Sequence, residues 1–207
     1  MGINVLHRKE RLIITTIDII DELGIQKLTT REIARRQDVS EATIFRHFKN
    51  KNELLLTVLE YFTQFDEDIL QSIHLRDSKP LEALRYFIIS YSEYYENYPA
   101  ITSILQIFDV LRYEPELSQK INEIQYSRTN TLKELVEAAI DTGEICKGTD
   151  SGILAVMISG LTRELCFNWR LSHFAFSLKE STKAALELLL VAFCTNAKEC
   201  LEEKVKV

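Results

Sequence analysis

Apolar residues recur at spacings of three and four along almost the whole chain, which is the pattern of one face of an α-helix. The first such segment contains Leu12, Ile13, Thr16, Ile17, Ile20 and Leu23. With only 6 Gly and 3 Pro in 207 residues, the chain lacks the frequent turns of a many-stranded β protein. The pattern therefore predicts an all-α fold, and a chain of this length buries a core without disulfides or a structural metal.

Capping residues and prolines predict where the helices begin. Thr29 with Glu32, Asn50 with Glu53, and Ser177 with Glu180 have the spacing of a capping box. Pro80, Pro99 and Pro115 suit the first turn of a helix. These signals predict about nine helices, over roughly 12–23, 30–36, 40–48, 51–74, 80–97, 100–112, 115–141, 151–171 and 177–203.

Charge is unevenly distributed along the sequence. The net charge is −6, but residues 1–52 contain ten Lys and Arg against seven Asp and Glu, which makes this segment +3. The remaining residues carry 15 basic and 24 acidic side chains, or −9. A basic segment on an acidic body is typical of a protein with a local polyanion-binding surface. We therefore predict a small basic domain over residues 1–50 and a larger acidic one over 51–207.

Residues 28–55 read LTTREIARRQDVSEATIFRHFKNKNELL and carry the most specific pattern in the chain. Two short helices, one from Thr30 and one after Ser40, are separated by a tight turn in which Val39 is expected to be buried. Asp38 stands in that turn, where a left-handed backbone is needed, and Asp tolerates that conformation better than most residues. The pattern predicts a helix-turn-helix, whose second helix enters the major groove of DNA.

This motif resembles the N-terminal signature of the tetracycline-repressor (TetR) family. The matching residues are Thr30, Ile33, Ala34, Val39, Ser40, Ile44, Phe45, His47, Phe48, Lys51 and Leu54. The resemblance covers about a quarter of the chain. It implies a three-helix DNA-binding domain followed by a larger helical domain for ligand binding and dimerisation.

Roles on the DNA follow from residue chemistry and from the family resemblance. Ser40 is expected to cap the recognition helix and to meet a phosphate, as is Thr30 at the start of the preceding helix. Ala42 and Arg46 point to base edges, where Ala contacts a thymine methyl and Arg binds guanine O6 and N7. Thr43 is a candidate for either a phosphate or a base.

The resemblance also implies that His47 and Lys51 are a pair that contacts the DNA backbone. Phe45 stands where the family commonly has Tyr, so one phosphate hydrogen bond is expected to be missing. Glu41 is a second departure, because its carboxylate repels phosphates unless it accepts from a cytosine amino group or points to solvent.

The later helices predict a dimer interface. Ile153, Val156, Met157, Gly160 and Leu161 form one stripe on the helix from residue 151, and the last helix, which contains AALELLLVAFC, is apolar on nearly all sides. Such a helix is buried on several sides, and two helices from each subunit would form the four-helix interface that the resemblance implies. A core helix within a monomer is the alternative.

A pocket for a small-molecule effector is predicted in the aromatic middle region. The chosen lining residues are Phe62, Tyr91, Tyr95, Phe108 and Trp169. Pockets are mostly apolar and aromatic, although an aromatic residue at helical spacing is more often part of the core.

No enzyme motif is present, because the sequence has no Gly-rich phosphate loop, HExxH or GxSxG. Neither a metal nor another cofactor is expected, and without a signal peptide or an apolar membrane segment the protein is expected to be cytoplasmic. The leading hypothesis is a ligand-responsive regulator, most simply a repressor, that binds a near-palindromic operator on double-stranded DNA as a homodimer. The rival hypothesis is a helical ligand-binding or interaction module that no longer recognises DNA, supported by Asp38, Glu41 and the acidic net charge.

Overall fold

The computed structural model describes residues 8–75 and 78–194, and within them the fold is all-α, as predicted. The α-helices are α1 (Arg8–Leu23), α2 (Thr30–Gln37), α3 (Glu41–Phe45), α4 (Lys51–Phe62), α5 (Asp66–Leu75), α6 (Pro80–Asn97), α7 (Ser103–Leu111), α8 (Pro115–Asp141), α9 (Ser151–Leu171) and α10 (Leu178–Val191). Two short 3-10 helices span Ile25–Lys27 and Pro99–Thr102. The predicted extension of the last helix to residue 203 lies outside the described residues beyond position 194.

The three predicted caps are confirmed. Thr29 Oγ1 accepts from the amide of Glu32 at 3.1 Å, Asn50 Oδ1 from that of Glu53 at 2.8 Å, and Ser177 Oγ from that of Glu180 at 3.2 Å. Each bond satisfies one of the amides that a helix N-terminus leaves without an intrahelical partner. These side chains therefore fix the starts of α2, α4 and α10.

The predicted single helix over 51–74 is wrong, because α4 ends at Phe62 and α5 begins at Asp66. The Thr63 hydroxyl donates to the carbonyl oxygen of Glu60 at 3.1 Å, a local bond that competes with helix continuation. The acidic residues 66–68 then favour a new helix N-terminus through the helix dipole. The chain consequently has ten described helices where nine were predicted.

The helices pack into two compact units, the first formed by residues up to 65 with 98–124 and the second by 66–97 with the residues from 125 onward. The predicted division into a DNA-binding domain over residues 1–50 and a second domain over 51–207 stays a prediction. In the first unit, α1 contacts α2, α4, α7 and the 3-10 helix Pro99–Thr102. Phe62 and Phe108 meet edge to face at 5.8 Å, a geometry that aromatic pairs favour.

The second unit is built around α6, α9 and α10, which pack on one another. Its core includes Leu84, Val136, Leu154, Ile158 and Leu190, all essentially inaccessible to solvent. A bidentate ion pair between Arg85 and Glu187, with Nε 2.7 Å from Oε1, joins α6 to α10. Glu187 thereby places a charge within the apolar second half of α10 without leaving it unpaired.

None of the helices in the described ranges is long and apolar enough to cross a lipid bilayer.

Candidate nucleic-acid interface

The turn of the helix-turn-helix forms at Asp38, whose backbone is left-handed with φ 50° and ψ 49°. This confirms the prediction that Asp accepts the conformation for which glycine is usually chosen. The amide of Val39 donates to the carbonyl of Ala34 at 3.0 Å and closes the end of α2. Val39 itself is only half-buried, whereas Ile33 and Ile44 are fully buried and hold α2 and α3 together.

Helix α3 stands in the place of the predicted recognition helix, and it has a distinct outward surface. Ala42, Phe45 and Arg46 are exposed, with 53% of Phe45 accessible. His47 is half-buried, and Thr43 is only 8% exposed. The predicted base-reading residues Ala42 and Arg46 therefore lie at the surface, while contact of Thr43 with DNA stays a prediction that its burial does not favour.

The prediction that the Ser40 side chain caps α3 is wrong. Its hydroxyl lies 3.1 Å from the Thr43 hydroxyl and makes no bond to a backbone amide. The amide of Thr43 donates instead to the Ser40 carbonyl oxygen at 2.9 Å. Because the Thr43 amide already has an acceptor, the Ser40 hydroxyl forms a hydrogen bond with the Thr43 hydroxyl instead.

Thr30 makes a contact that the sequence patterns did not predict. Its hydroxyl donates to Glu41 Oε2 at 2.5 Å, which joins the first residue of α2 to the first residue of α3. No local signal predicts such a bond, because the two residues are eleven positions apart and the turn geometry alone brings them together.

Three arginines of the helix-turn-helix differ in their partners. Arg35 and Arg36 both bind Glu32, and Arg36 also binds Glu22 at 2.7 Å. Hydrogen bonds from the two guanidinium groups lower the pKa of Glu32 to about 2. Arg46 is exposed and has no acidic partner within the described residues, so it alone of these three has all its donors available to a base.

A small cleft of about 30 Å³ lies beneath Phe45, between the starts of α2 and α4. Thr30, Phe45 and Lys51 line it together, so the structure brings three of the predicted DNA-contacting residues to one place. Lys51 Nζ donates to the carbonyl oxygen of Leu28 at 3.1 Å, which ties α4 to the residue just ahead of the α2 cap. An ammonium group has three donors, so this bond leaves others for a phosphate.

The five predicted pocket residues divide between the two units. Phe62 and Phe108 are buried in the first, whereas Tyr91, Tyr95 and Trp169 belong to the second. Trp169 is buried, and its ring lies 4.6 Å from that of Phe174. Contact of these residues with an effector stays a prediction.

A buried charged cluster in the second unit was missed entirely by the sequence patterns. Arg128 Nε and Nη2 donate to the two carboxylate oxygens of Asp66 at 2.9 and 2.8 Å, and Nη1 donates to the Tyr95 hydroxyl at 3.0 Å. The guanidinium carbon lies 4.5 Å from the centre of the Tyr91 ring. Burial raises the pKa of both tyrosines, so their phenol groups stay neutral beside the ion pair.

The apolar stripe predicted on α9 lies at the surface, and a different side of that helix faces the core. Leu154 and Ile158 are buried in the second unit, while Ile153 and Val156 are 62% and 61% exposed and Met157 is also exposed. On α10, Leu188 is 75% exposed between the buried Leu186 and Leu190. Both helices thus carry a second apolar face that the unit itself does not cover.

Two family models together match nearly all of the described chain. The model of bacterial regulatory proteins of the tetR family matches residues 12–58, and that of the C-terminal region of YsiA-like proteins matches residues 58–192. The fatty acid metabolism regulator protein of Bacillus subtilis strain 168 is 25% identical over 185 residues, which are 87% of this chain and 92% of that one. The probable acrEF/envCD operon repressor of Escherichia coli K12 is 24% identical over 202 residues, which are 91% of this chain and 87% of that repressor.

A solved structure agrees with these sequence relatives. The transcriptional regulator FadR from Bacillus subtilis, crystallised in complex with stearoyl-CoA, superposes with a TM-score of 0.77 at 27% identity. The match covers 87% of this chain and 96% of that one. The likeness therefore extends well beyond the helix-turn-helix into the helical domain that follows it.

Proposed function

Because the chain belongs to the tetR family of bacterial regulatory proteins, we propose that it binds a near-palindromic operator as a homodimer and that a long-chain acyl-CoA controls this binding. The family consists of transcriptional regulators, so the chain is a DNA-binding regulator and not an enzyme. The proposed role is that of a repressor acting on double-stranded DNA in the bacterial cytoplasm.

The observation that carries operator recognition is the surface of α3. Ala42 and Arg46 are exposed side by side, and Arg46 has no acidic partner in the described part of the chain. Arg35 and Arg36, by contrast, are held by Glu32 and do not present free guanidinium groups. A single available arginine on the recognition helix suits a bidentate contact with guanine better than general attraction to phosphates.

The homodimer is supported by the uncovered apolar faces of α9 and α10. Ile153, Val156 and Leu188 would each be removed from water by a symmetry mate, which is the favourable term in most stable interfaces. A two-fold dimer buries the same patch on both subunits. It also sets two recognition helices at a fixed spacing, as a near-palindromic operator requires.

The effector class is supported by the relative whose likeness spans the C-terminal region. FadR from Bacillus subtilis was crystallised with stearoyl-CoA, and the model that matches residues 58–192 covers the corresponding part of this chain. The predicted pocket residues of the second unit, Tyr91, Tyr95 and Trp169, are candidates for contact with the acyl chain, because ligand pockets are lined mainly by apolar and aromatic side chains. An effector that binds one arrangement of the two recognition helices more tightly shifts the population towards it.

A selection from a random duplex pool with the purified protein, followed by titration with stearoyl-CoA, tests the proposal. We expect a near-palindromic sequence and a change of about 5–150-fold in operator affinity when stearoyl-CoA is added. Free coenzyme A and stearate are the controls, since each carries only one part of the thioester. Recovery of no sequence motif would contradict operator binding, and a motif whose affinity stearoyl-CoA leaves unchanged would contradict the effector class.

Replacing Arg46 by Ala tests the assignment of the base contact. We expect operator binding to weaken by about 1–3 kcal/mol and one operator position to lose its preference. The matched variant is Lys49→Ala, which removes another exposed cation and should weaken binding to all sequences alike. Repeating the selection with both variants measures the difference. An unchanged sequence preference in the Arg46→Ala variant would show that another residue reads the base.

A further inference from the structure

Every hydroxyl that the sequence assigns to phosphate contact on α2 and α3 is already engaged within the protein. Ser40 and Thr43 pair with each other at 3.1 Å, and Thr30 donates to Glu41 at 2.5 Å. The second bond has the short length of a hydroxyl donating to an ionised acceptor, the stronger class of hydrogen bond. A threonine has one hydroxyl proton, so Thr30 cannot donate to Glu41 and to a phosphate at the same time.

Glu41 is therefore placed where a DNA phosphate would otherwise receive the Thr30 proton. Its side chain is exposed, and it has no cationic partner within the described residues. An uncompensated carboxylate at this position repels the phosphate backbone of any duplex, whatever its sequence. The Glu41 carboxylate therefore weakens the electrostatic attraction to phosphates, which contributes equally to binding on every sequence.

The same carboxylate lies on the first turn of the recognition helix, beside the exposed Ala42. Residues at the start of such a helix contact base edges in the major groove. A carboxylate only accepts hydrogen bonds, and the cytosine N4 amino group is the donor that it suits there.

We propose that Glu41 is a specificity-determining residue of the DNA-binding surface, disfavouring contact with phosphates alone and favouring sequences that present a cytosine amino group to it. When the operator is bound, Glu41 accepts from that amino group and the Thr30 hydroxyl is free to turn to a phosphate. On a sequence that presents no amino group at that position, the carboxylate has no donor on the DNA. The inference rests on the proposed operator binding and adds to it the residue that suppresses binding elsewhere.

The test is Glu41→Gln in the full-length protein, with Glu60→Gln as the matched control because Glu60 is an exposed glutamate of the same unit. The amide still accepts from Thr30, so only the charge is removed. Dissociation constants are measured by fluorescence anisotropy for the selected operator and for a scrambled duplex of equal length, at several salt concentrations. Circular dichroism melting verifies that both variants are folded.

For Glu41→Gln we expect about fivefold tighter binding to the scrambled duplex, the size of one like-charge contact at about 4 Å in water. The ratio of operator to scrambled affinity is expected to fall about fivefold, because a neutral amide oxygen accepts from the cytosine amino group less strongly than a carboxylate does. Glu60→Gln should change neither quantity. Unchanged binding to the scrambled duplex, or an equal change in the control, would overturn the inference while leaving operator binding by the unaltered protein intact.

Discussion

Replacing Val156 by Glu is expected to convert the dimer into monomers and to reduce operator affinity by about a thousandfold or more, to the level of non-specific binding. Val156 is 61% exposed in the single chain and lies on the α9 face that we assign to the dimer interface. A carboxylate there would be buried without a partner, at a free-energy cost that exceeds the gain from the surrounding apolar contacts. Once the two recognition helices are no longer linked, each binds its half-site alone.

Sedimentation equilibrium measures the subunit association, and fluorescence anisotropy measures operator binding in the same samples. Leu188→Glu on α10 should give the same result, since Leu188 is the exposed apolar residue of the second helix in the proposed interface. Tyr126→Glu is the control, because Tyr126 is an equally exposed apolar side chain on α8, in the same unit but outside that interface. A Val156→Glu protein that remained dimeric would place the interface elsewhere.

Replacing Arg128 by Met is expected to lower the free energy of unfolding by about 3–5 kcal/mol, the range observed when one partner of a buried ion pair is removed. The side chains of Arg128 and Asp66 are 15% and 20% exposed, so little water reaches the pair. Methionine keeps most of the apolar stem but none of the donors. The Asp66 carboxylate would then lose both charge-assisted hydrogen bonds, and Tyr95 would lose its contact with the guanidinium group.

Urea unfolding followed by circular dichroism measures this change. The double variant Asp66→Asn with Arg128→Met should lose less stability than the single one, because it leaves neither partner of this ion pair as an unpaired charge. Tyr95→Phe should cost about 1 kcal/mol, the size of one hydrogen bond. A free energy of unfolding of the Arg128→Met protein within about 1 kcal/mol of that of the unaltered protein would show that the ion pair contributes little to stability.

The cluster around Arg128 also shows why site chemistry is harder to predict than helices. Asp66 and Arg128 are 62 positions apart, and Tyr95 lies 33 positions before Arg128. In the sequence each is an ordinary polar or aromatic residue on an amphipathic helix. Their relation exists only because α5, α6 and α8 place them together in the second unit.

On the DNA-binding surface, too, the local contacts could be predicted from the sequence and the distant ones could not. The turn at Asp38 and the exposure of Arg46 could be predicted from the motif, because both depend on residues within one or two helical turns. The motif did not show that Ser40 would fail to cap α3, since the Thr43 hydroxyl is an alternative partner for the Ser40 hydroxyl. The bond between Thr30 and Glu41 depends on how tightly the turn brings two helix starts together.

The sequence by itself determined the all-α fold, the caps at Thr29, Asn50 and Ser177, and the helix-turn-helix. These features arise from interactions between residues three or four positions apart, whose geometry is the same in every helix. Only the tertiary structure decided that residues 98–124 pack with the first unit and that Arg128 binds Asp66 and Tyr95. Those outcomes depend on contacts between distant segments, where packing and burial select one arrangement among many that local preferences allow.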